Sequence, residues 1–325
     1  MPLVAAAVCP HPPLIVPELA GAAAPELADL RAACAAAVTA LYAVGARTVV
    51  LVGSGERTVE LESPYRGSFT PWGLSRTVRL GPGPTDPEPA PDGPVPGAHG
   101  SGSVPDLGAP VLGLHGPASV PGLHGPGSAP GLREPAPGLR EPAPGLREPA
   151  PGLREPAPGL REGAGELPLS LLVGAWLVDR VTPPTPTAWR MVSVAPDEPV
   201  DRCAAVGAGL VGAGRVPDGP WALLVLGDGS ACHGPKAPGY ADPRAGAYDE
   251  GVARALAGAD VDALLGLDPV VSAELKVAGR AAWQVLAGAV RAAGGDWHGE
   301  LRHHSNPYGV GYLVASWTRT AGRVR

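Results

Sequence analysis

The side chains able to do chemistry are densest just after residue 226. There Gly227-Asp228-Gly229-Ser230-Ala231-Cys232-His233 is followed by Lys236. Others stand apart: His11 within Cys9-Pro10-His11-Pro12-Pro13, Ser54 within Gly53-Ser54-Gly55-Glu56, Glu274, and the adjacent His303 and His304. Two histidines and one carboxylate, with positions left open, make the facial arrangement that holds Fe(II) in non-haem oxygenases. His11, Asp228, Cys232, His233, Glu274, His303 and His304 are the candidates for such a constellation. Neither an HExxH nor a CxxC spacing supports zinc. Ser54 and Ser230 lie outside any GxSxG elbow, which argues against a serine hydrolase.

Each candidate also has a plainer reading. Asp228 suits a turn cap. Cys232 reads as a small, half-buried thiol. Neighbouring side chains on a strand point to opposite faces, so at most one of His303 and His304 enters a cleft. Lys236 stands among prolines and glycines as a solvated loop charge. The Gly53-Ser54-Gly55-Glu56-Arg57 stretch lacks both the GxGxxG and the GK[ST] pattern, and reads as a turn after a strand.

The elements that must position these residues follow from hydrophobic patterning. Apolar runs at 3–8, 47–52 and 222–226 suit strands buried on both faces. The third ends at the Gly227–Ser230 loop, and ligands of open α/β sheets sit beyond the carboxyl ends of strands. Residues 24–44 carry Leu27, Leu30, Cys34 and Val38 at helical spacing, with Gly45 as the C-cap. The stretch 65–80 holds three of the scarce aromatics, Tyr65, Phe69 and Trp72. Residues 167–181 are apolar nearly all round, 188–194 alternate as a strand, and 200–211 read as a helix. Helices are also predicted at 247–257 and 261–267. A further one opens at Asp268-Pro269, with proline in its first turn, and continues through 289 across an interruption at Ala278-Gly279-Arg280. Residues 308–316 form a closing strand, preceded by the His303-His304 pair.

The 325 residues are 45% hydrophobic and carry a net charge of −6, which supplies a core but no basic footprint for nucleic acid. The four cysteines are far apart and no basic leader precedes the first apolar run, so reduced thiols in a cytoplasmic protein are expected. The longest apolar stretch, 167–178, is too short for a bilayer, and no membrane partner is expected. Homo-oligomerisation stays open. Gly (47) and Pro (42) are in excess, and the excess is concentrated between residues 81 and 165. Residues 129–163 are five tandem copies of APGLREP, the last ending in Gly163. Two prolines per repeat forbid a helix, and one Leu per repeat cannot offset the entropy of ordering, so a disordered insertion is predicted. The domain plan is thus 1–80 and 166–318 as two parts of one α/β domain, the insertion between them, and a tail at 319–325.

Taken together, these motifs resemble the class III extradiol ring-cleavage dioxygenase superfamily, including its Memo-like relatives. A strand followed by Pro10-His11-Pro12-Pro13 resembles the opening of these proteins. Leu226-Gly227-Asp228-Gly229-Ser230-Ala231 stands where they carry Gly/Ser-Asp-Leu-Ser-His. Asp249 follows at the offset of their downstream acid, Ala278-Gly279-Arg280 resembles the Cys-Gly-Arg turn of the Memo branch, and Val310-Gly311-Tyr312 resembles the closing strand. The likeness covers residues 3–80 and 166–317 and is greatest to an actinobacterial subgroup. It implies a three-layer α/β domain around a mixed, largely parallel sheet. It also implies Fe(II), an aromatic diol of the catechol type, and O2 that opens the ring. On that pattern His11 and Glu274 are candidate iron ligands, and His233 and Asp228 candidate catalytic groups. Ser54, Ser230, Lys236 and His304 are candidate substrate contacts. The pattern is incomplete, because Gly53-Ser54-Gly55 stands where the second ligand histidine belongs and Ala231 replaces the histidine of Ser-His. Two readings follow: an extradiol dioxygenase with rearranged ligands, or a Memo-like, non-catalytic binding protein on the same fold with little or no metal chemistry. Anion or nucleotide binding at the glycine turns is a third.

Overall fold

A computed structural model of the protein describes residues 2–81, 166–181, 188–212 and 219–320. The predicted insertion, its repeats and most of the predicted tail lie outside these residues.

The chain begins with β1 (Leu3–Cys9), a short helix α1 (Pro17–Ala20) and a 3-10 segment (Gly21–Leu27) that runs into α2 (Ala28–Ala43). The predicted helix therefore starts four residues late, because residues up to Leu27, Pro25 among them, wind as the 3-10 segment instead. Gly45 does adopt the left-handed conformation expected after the helix, at φ 77. β2 (Thr48–Ser54) runs two residues further than patterning predicts. Its Gly53 is not a phosphate-loop glycine: a Cβ there would stand 2.5 Å from Ser170 Oγ, so the position is small to let a helix approach. β3 (Val59–Leu61) follows, and the aromatic stretch folds as a hairpin, β4 (Tyr65–Ser68) with β5 (Thr77–Leu80).

After the insertion come α3 (Leu169–Asp179), β6 (Ala188–Val194), α4 (Val200–Val211), β7 (Trp221–Leu226) and α5 (Arg244–Gly258). Two short helices, α6 (Val261–Leu265) and α7 (Pro269–Glu274), lead into α8 (Arg280–Ala293). α7 opens as predicted, with Asp268 accepting from the Val270 and Val271 N–H groups and Pro269 in the first turn. It does not continue into α8, because Lys276 takes a left-handed φ of 55. β8 (Trp297–Ser305) contains His303 and His304 rather than following them. The closing strand β9 (Tyr312–Arg319) begins four residues later than predicted, because Tyr308 and Gly309 have positive φ and form a turn.

The main sheet has the order β3-β6-β2-β7-β1-β9-β8. β6, β2, β7 and β1 are mutually parallel, while β3, β9 and β8 add antiparallel edges. The sheet is thus mixed and mostly parallel, in keeping with the α/β expectation, and strands from both sides of the insertion interleave within it. Every residue of β7 is buried. Its Trp221, Leu223 and Val225 face one core with α4, α5 and α8, while Ala222, Leu224 and Leu226 face the other with α2 and α3. The alternation is the period of two that a strand imposes. The carboxyl ends of β1, β7, β2 and β6 all open on one edge, the place where an α/β sheet presents loops to a ligand.

Candidate ligand-binding site

Two loops meet at that edge. β1 ends at Cys9, whose carbonyl accepts from the Gly227 N–H at 3.0 Å as β7 gives way to its own loop. Pro10, Pro12 and Pro13 stiffen the chain on either side of His11. The His11 backbone N–H then donates to Asp228 Oδ1 at 2.8 Å, tying the amino-terminal loop to the late one across 217 residues of sequence. The Gly227-Asp228 turn is fitted closely, since a Cβ on Gly227 would lie 2.5 Å from Gly279 Cα. The Gly279 N–H donates to the Asp228 carbonyl at 2.8 Å.

The His11 imidazole is buried at 8% exposure, and Nδ1 lies 3.6 Å from Asp228 Oδ1, too far for a hydrogen bond. Among the described residues Nδ1 has no hydrogen-bond partner. Burial pushes the Asp228 carboxyl above its usual range; the neighbouring imidazole and the His11 N–H pull it back in part. His11 lines a cavity of about 1000 Å³ with Ser54, Val59, Leu61, Leu169 and Ser193 among its walls. The Ser54 hydroxyl reaches this cavity but donates to the Ala278 carbonyl at 3.0 Å, and Ser170 Oγ donates to the Ser54 carbonyl at 2.6 Å.

The other candidates are held elsewhere. His233 Nε2 lies 2.7 Å from Asp249 Oδ2, and Asn306 Nδ2 stands 3.1 Å from His233 Nδ1, so both ring nitrogens are engaged. Asp249 is fully buried, which raises its carboxyl above the usual range against the Ser230 N–H and His233. Ser230 is buried as well. Its N–H donates to Asp249 at 2.9 Å, and its hydroxyl donates to the Leu275 carbonyl at 3.0 Å. Cys232 is a buried thiol facing the carbonyls of Gly239 and Leu275, each at 3.4 Å. Glu274 is half exposed and pairs with Arg244 at 2.7 Å. Lys236 is exposed on a turn and His304 is exposed on β8. Neither is among the residues lining the His11 cavity. His303 and His304 point oppositely, as neighbours on a strand must. His303 contacts Ser305 Oγ at 2.7 Å, and burial lowers its pKa against the field of Asp29.

The structure therefore brings together His11, Asp228 and Ser54. It gathers Ser230, His233 and Asp249 into a separate knot and leaves Glu274 and Lys236 on the surface. Among the described residues no three His, Cys, Asp or Glu side chains converge to hold a metal ion. The donors beside His11 do not make the two-histidine, one-carboxylate set that the resemblance implies for Fe(II).

Patterning missed one residue that shapes the cavity wall. Arg280 is buried, and its guanidinium donates to the Glu198 carbonyl at 2.7 Å, to the Pro196 carbonyl and to Gln284 Oε1 at 2.9 Å. It thereby fixes the loop after β6, and Pro196 and Asp197 of that loop line the cavity. The signal was present: an arginine with a glutamine four residues on, inside the otherwise apolar 280–290, cannot be buried unless it is hydrogen-bonded. The chain matches no protein-family model and no curated protein.

Proposed function

We propose that this protein binds a small molecule without a metal, on a three-layer fold of the extradiol dioxygenase superfamily and on its Memo-like side. The observation that carries the reading is the place of His11. Its imidazole lines a cavity of about 1000 Å³ at the carboxyl edge of the sheet, with the Asp228 carboxylate 3.6 Å from Nδ1. The cavity is of the size that ligand sites occupy, and its walls combine apolar side chains with hydroxyl and charged ones. An ion held by one imidazole and one carboxylate, with solvent on the remaining positions, binds weakly.

A second reading has one observation in its favour. His11 follows β1 where the resemblance puts the first iron ligand, so ring cleavage of an aromatic diol with O2 is the competing function. Anaerobic Fe(II) loading of untagged protein, metal analysis and aerobic incubation with a catechol panel separate the two. The expected result is iron well below one per chain, unchanged in His11→Ala, and no ring-opened product. Stoichiometric iron that His11→Ala abolishes, with turnover, would establish the dioxygenase reading instead.

A further inference from the structure

We infer that the cavity takes a primary amine in its ammonium form, carried on an apolar body: the polar side chains of its wall accept hydrogen bonds, and an ammonium only donates them. This rests on the ligand-binding reading above and names the class of ligand.

The hydroxyls of Ser54, Ser170 and Ser193 line the cavity. Each donates its proton to a backbone carbonyl: Ser54 to that of Ala278 at 3.0 Å, Ser170 to that of Ser54 at 2.6 Å, and Ser193 to that of Arg57 at 2.8 Å. A carbonyl can only accept, so the direction of these bonds is fixed. A hydroxyl whose proton is committed offers lone pairs alone to anything else. Glycine gathers these oxygens at the end of β2. A Cβ on Gly53 would stand 2.5 Å from Ser170 Oγ, and one on Gly55 would run into Ser193 Oγ.

The His11 imidazole points to a donor ligand independently. His11 is more than nine-tenths buried. Nδ1 is the ring nitrogen sealed off, on the side of Asp228, so Nε2 is the one that reaches the cavity. The Asp228 carboxylate favours the tautomer that carries its proton on Nδ1, and this leaves a bare lone pair on Nε2. Among the described residues nothing donates to that lone pair. Polar atoms held in largely enclosed surroundings are normally paired, and a ligand N–H would pair this one.

Charge does not oppose this. Asp228 behind the imidazole, with Glu56 and Asp197 at the rim, is set against Arg57 at the rim, Arg280 behind Pro196, and the fractional positive charge at the start of α3. These fields nearly cancel, so hydrogen-bonding character decides between ligands. An anion could use the first-turn N–H groups of α3, but it would bring further lone pairs to the three hydroxyl oxygens and Nε2, with the Asp228 carboxylate close by. A neutral hydroxyl has a single proton to give. An ammonium brings several donors and no lone pair. Val59, Leu61 and Leu169 supply apolar surface for the rest of the molecule.

The test is calorimetric titration of the full chain, at neutral pH, with octylamine, octyltrimethylammonium, octanol and octanoate. Octylamine is expected to bind about tenfold or more tightly than octanol, the margin of a charge-assisted hydrogen bond. It should exceed octyltrimethylammonium, which has the charge without the donors, by a similar factor. His11→Phe keeps a ring but no lone pair, and is expected to lose most of octylamine's advantage over octanol. Glu56→Gln with Asp197→Asn changes exposed residues alone, and is expected to keep octylamine ahead of octyltrimethylammonium. The wild-type series decides the matter even where His11→Phe does not fold. Equal binding of any of the other three ligands would overturn the ammonium assignment and leave the cavity reading standing. So would a preference that survives in folded His11→Phe and vanishes with the rim charges. No binding by any of the four overturns the assignment as well; where stoichiometric iron and ring cleavage accompany that result, the underlying reading falls with it.

Discussion

At the residue scale, the site is held by polar groups inside apolar surroundings, and each has a measurable signature. Asp228 accepts the His11 N–H, and burial raises its carboxyl above the ordinary value of 3.8. The folded chain thus takes up this proton more readily than the unfolded chain, so the group's contribution to stability declines as pH climbs from the unfolded value through the folded one. Asp228→Asn keeps an oxygen for the His11 N–H but cannot ionise. The wild type is expected to lose stability relative to this variant as pH rises from about 4, as read from urea midpoints. A difference independent of pH would show that Asp228 is not shifted upward. Arg280→Ala strands two loop carbonyls and Gln284, and is expected to cost about 3 kcal/mol in urea unfolding. It should also weaken ligand binding in the cavity whose wall it braces. Asp228 and His11 were legible as candidates because a loop rich in proline or glycine after a buried strand is a recognisable pattern. Glu274 was not legible, because only its three-dimensional neighbour Arg244 decides where it points.

At the scale of elements, the helices over one sheet face are set by glycine. A methyl on Gly207 of α4 would run into the Val285 carbonyl of α8, and one on Gly288 of α8 would run into the Ala204 carbonyl of α4. The two backbones therefore pass in direct contact. Gly209, on the same helix, has no neighbour within 4 Å of where a Cβ would stand. Gly207→Ala is expected to destabilise by at least about 2 kcal/mol through overpacking. Gly209→Ala should stabilise by about 0.5–1 kcal/mol through lower chain entropy and better helix propensity. Paired urea titrations check both, and the opposite ordering would refute the close crossing. Patterning placed α4 correctly despite these glycines. It could not distinguish a glycine that admits a neighbour from one that merely weakens a helix, since the partner surface on α8 lies far along the chain. The β4–β5 hairpin and β8 escaped for a related reason: both are short or strongly polar strands, which strand pairing stabilises more than their own composition does.

At the scale of the whole molecule, one sheet serves two cores. Trp221, Trp283 and Trp317 are buried in the core on one face and Trp176 in the core on the other. Because β1, β2 and β7 send alternate side chains into both, neither face can melt without the strands of the other. Tryptophan emission of a variant with Trp72, Trp176 and Trp189 all changed to Phe, which leaves only indoles packed in or on the first core, is expected to report the same unfolding midpoint as far-ultraviolet dichroism of the same variant. Separate transitions would mean that the two cores are independent. The strands β1, β2, β6 and β7, the helices α2 and α4, the burial of 167–178, the α/β class and the loops able to carry chemistry were all determined by the sequence itself, because burial on both faces of a strand and on one stripe of a helix leaves a periodic trace in the chain. Which loops meet was decided by tertiary structure alone. β7 inserts between β1 and β2, and this sets Asp228 beside His11; His233 closes on Asp249 instead, and Glu274 faces Arg244. Hydrophobic periodicity records which side of an element is buried but carries no term for strand order, and a binding site is a consequence of strand order.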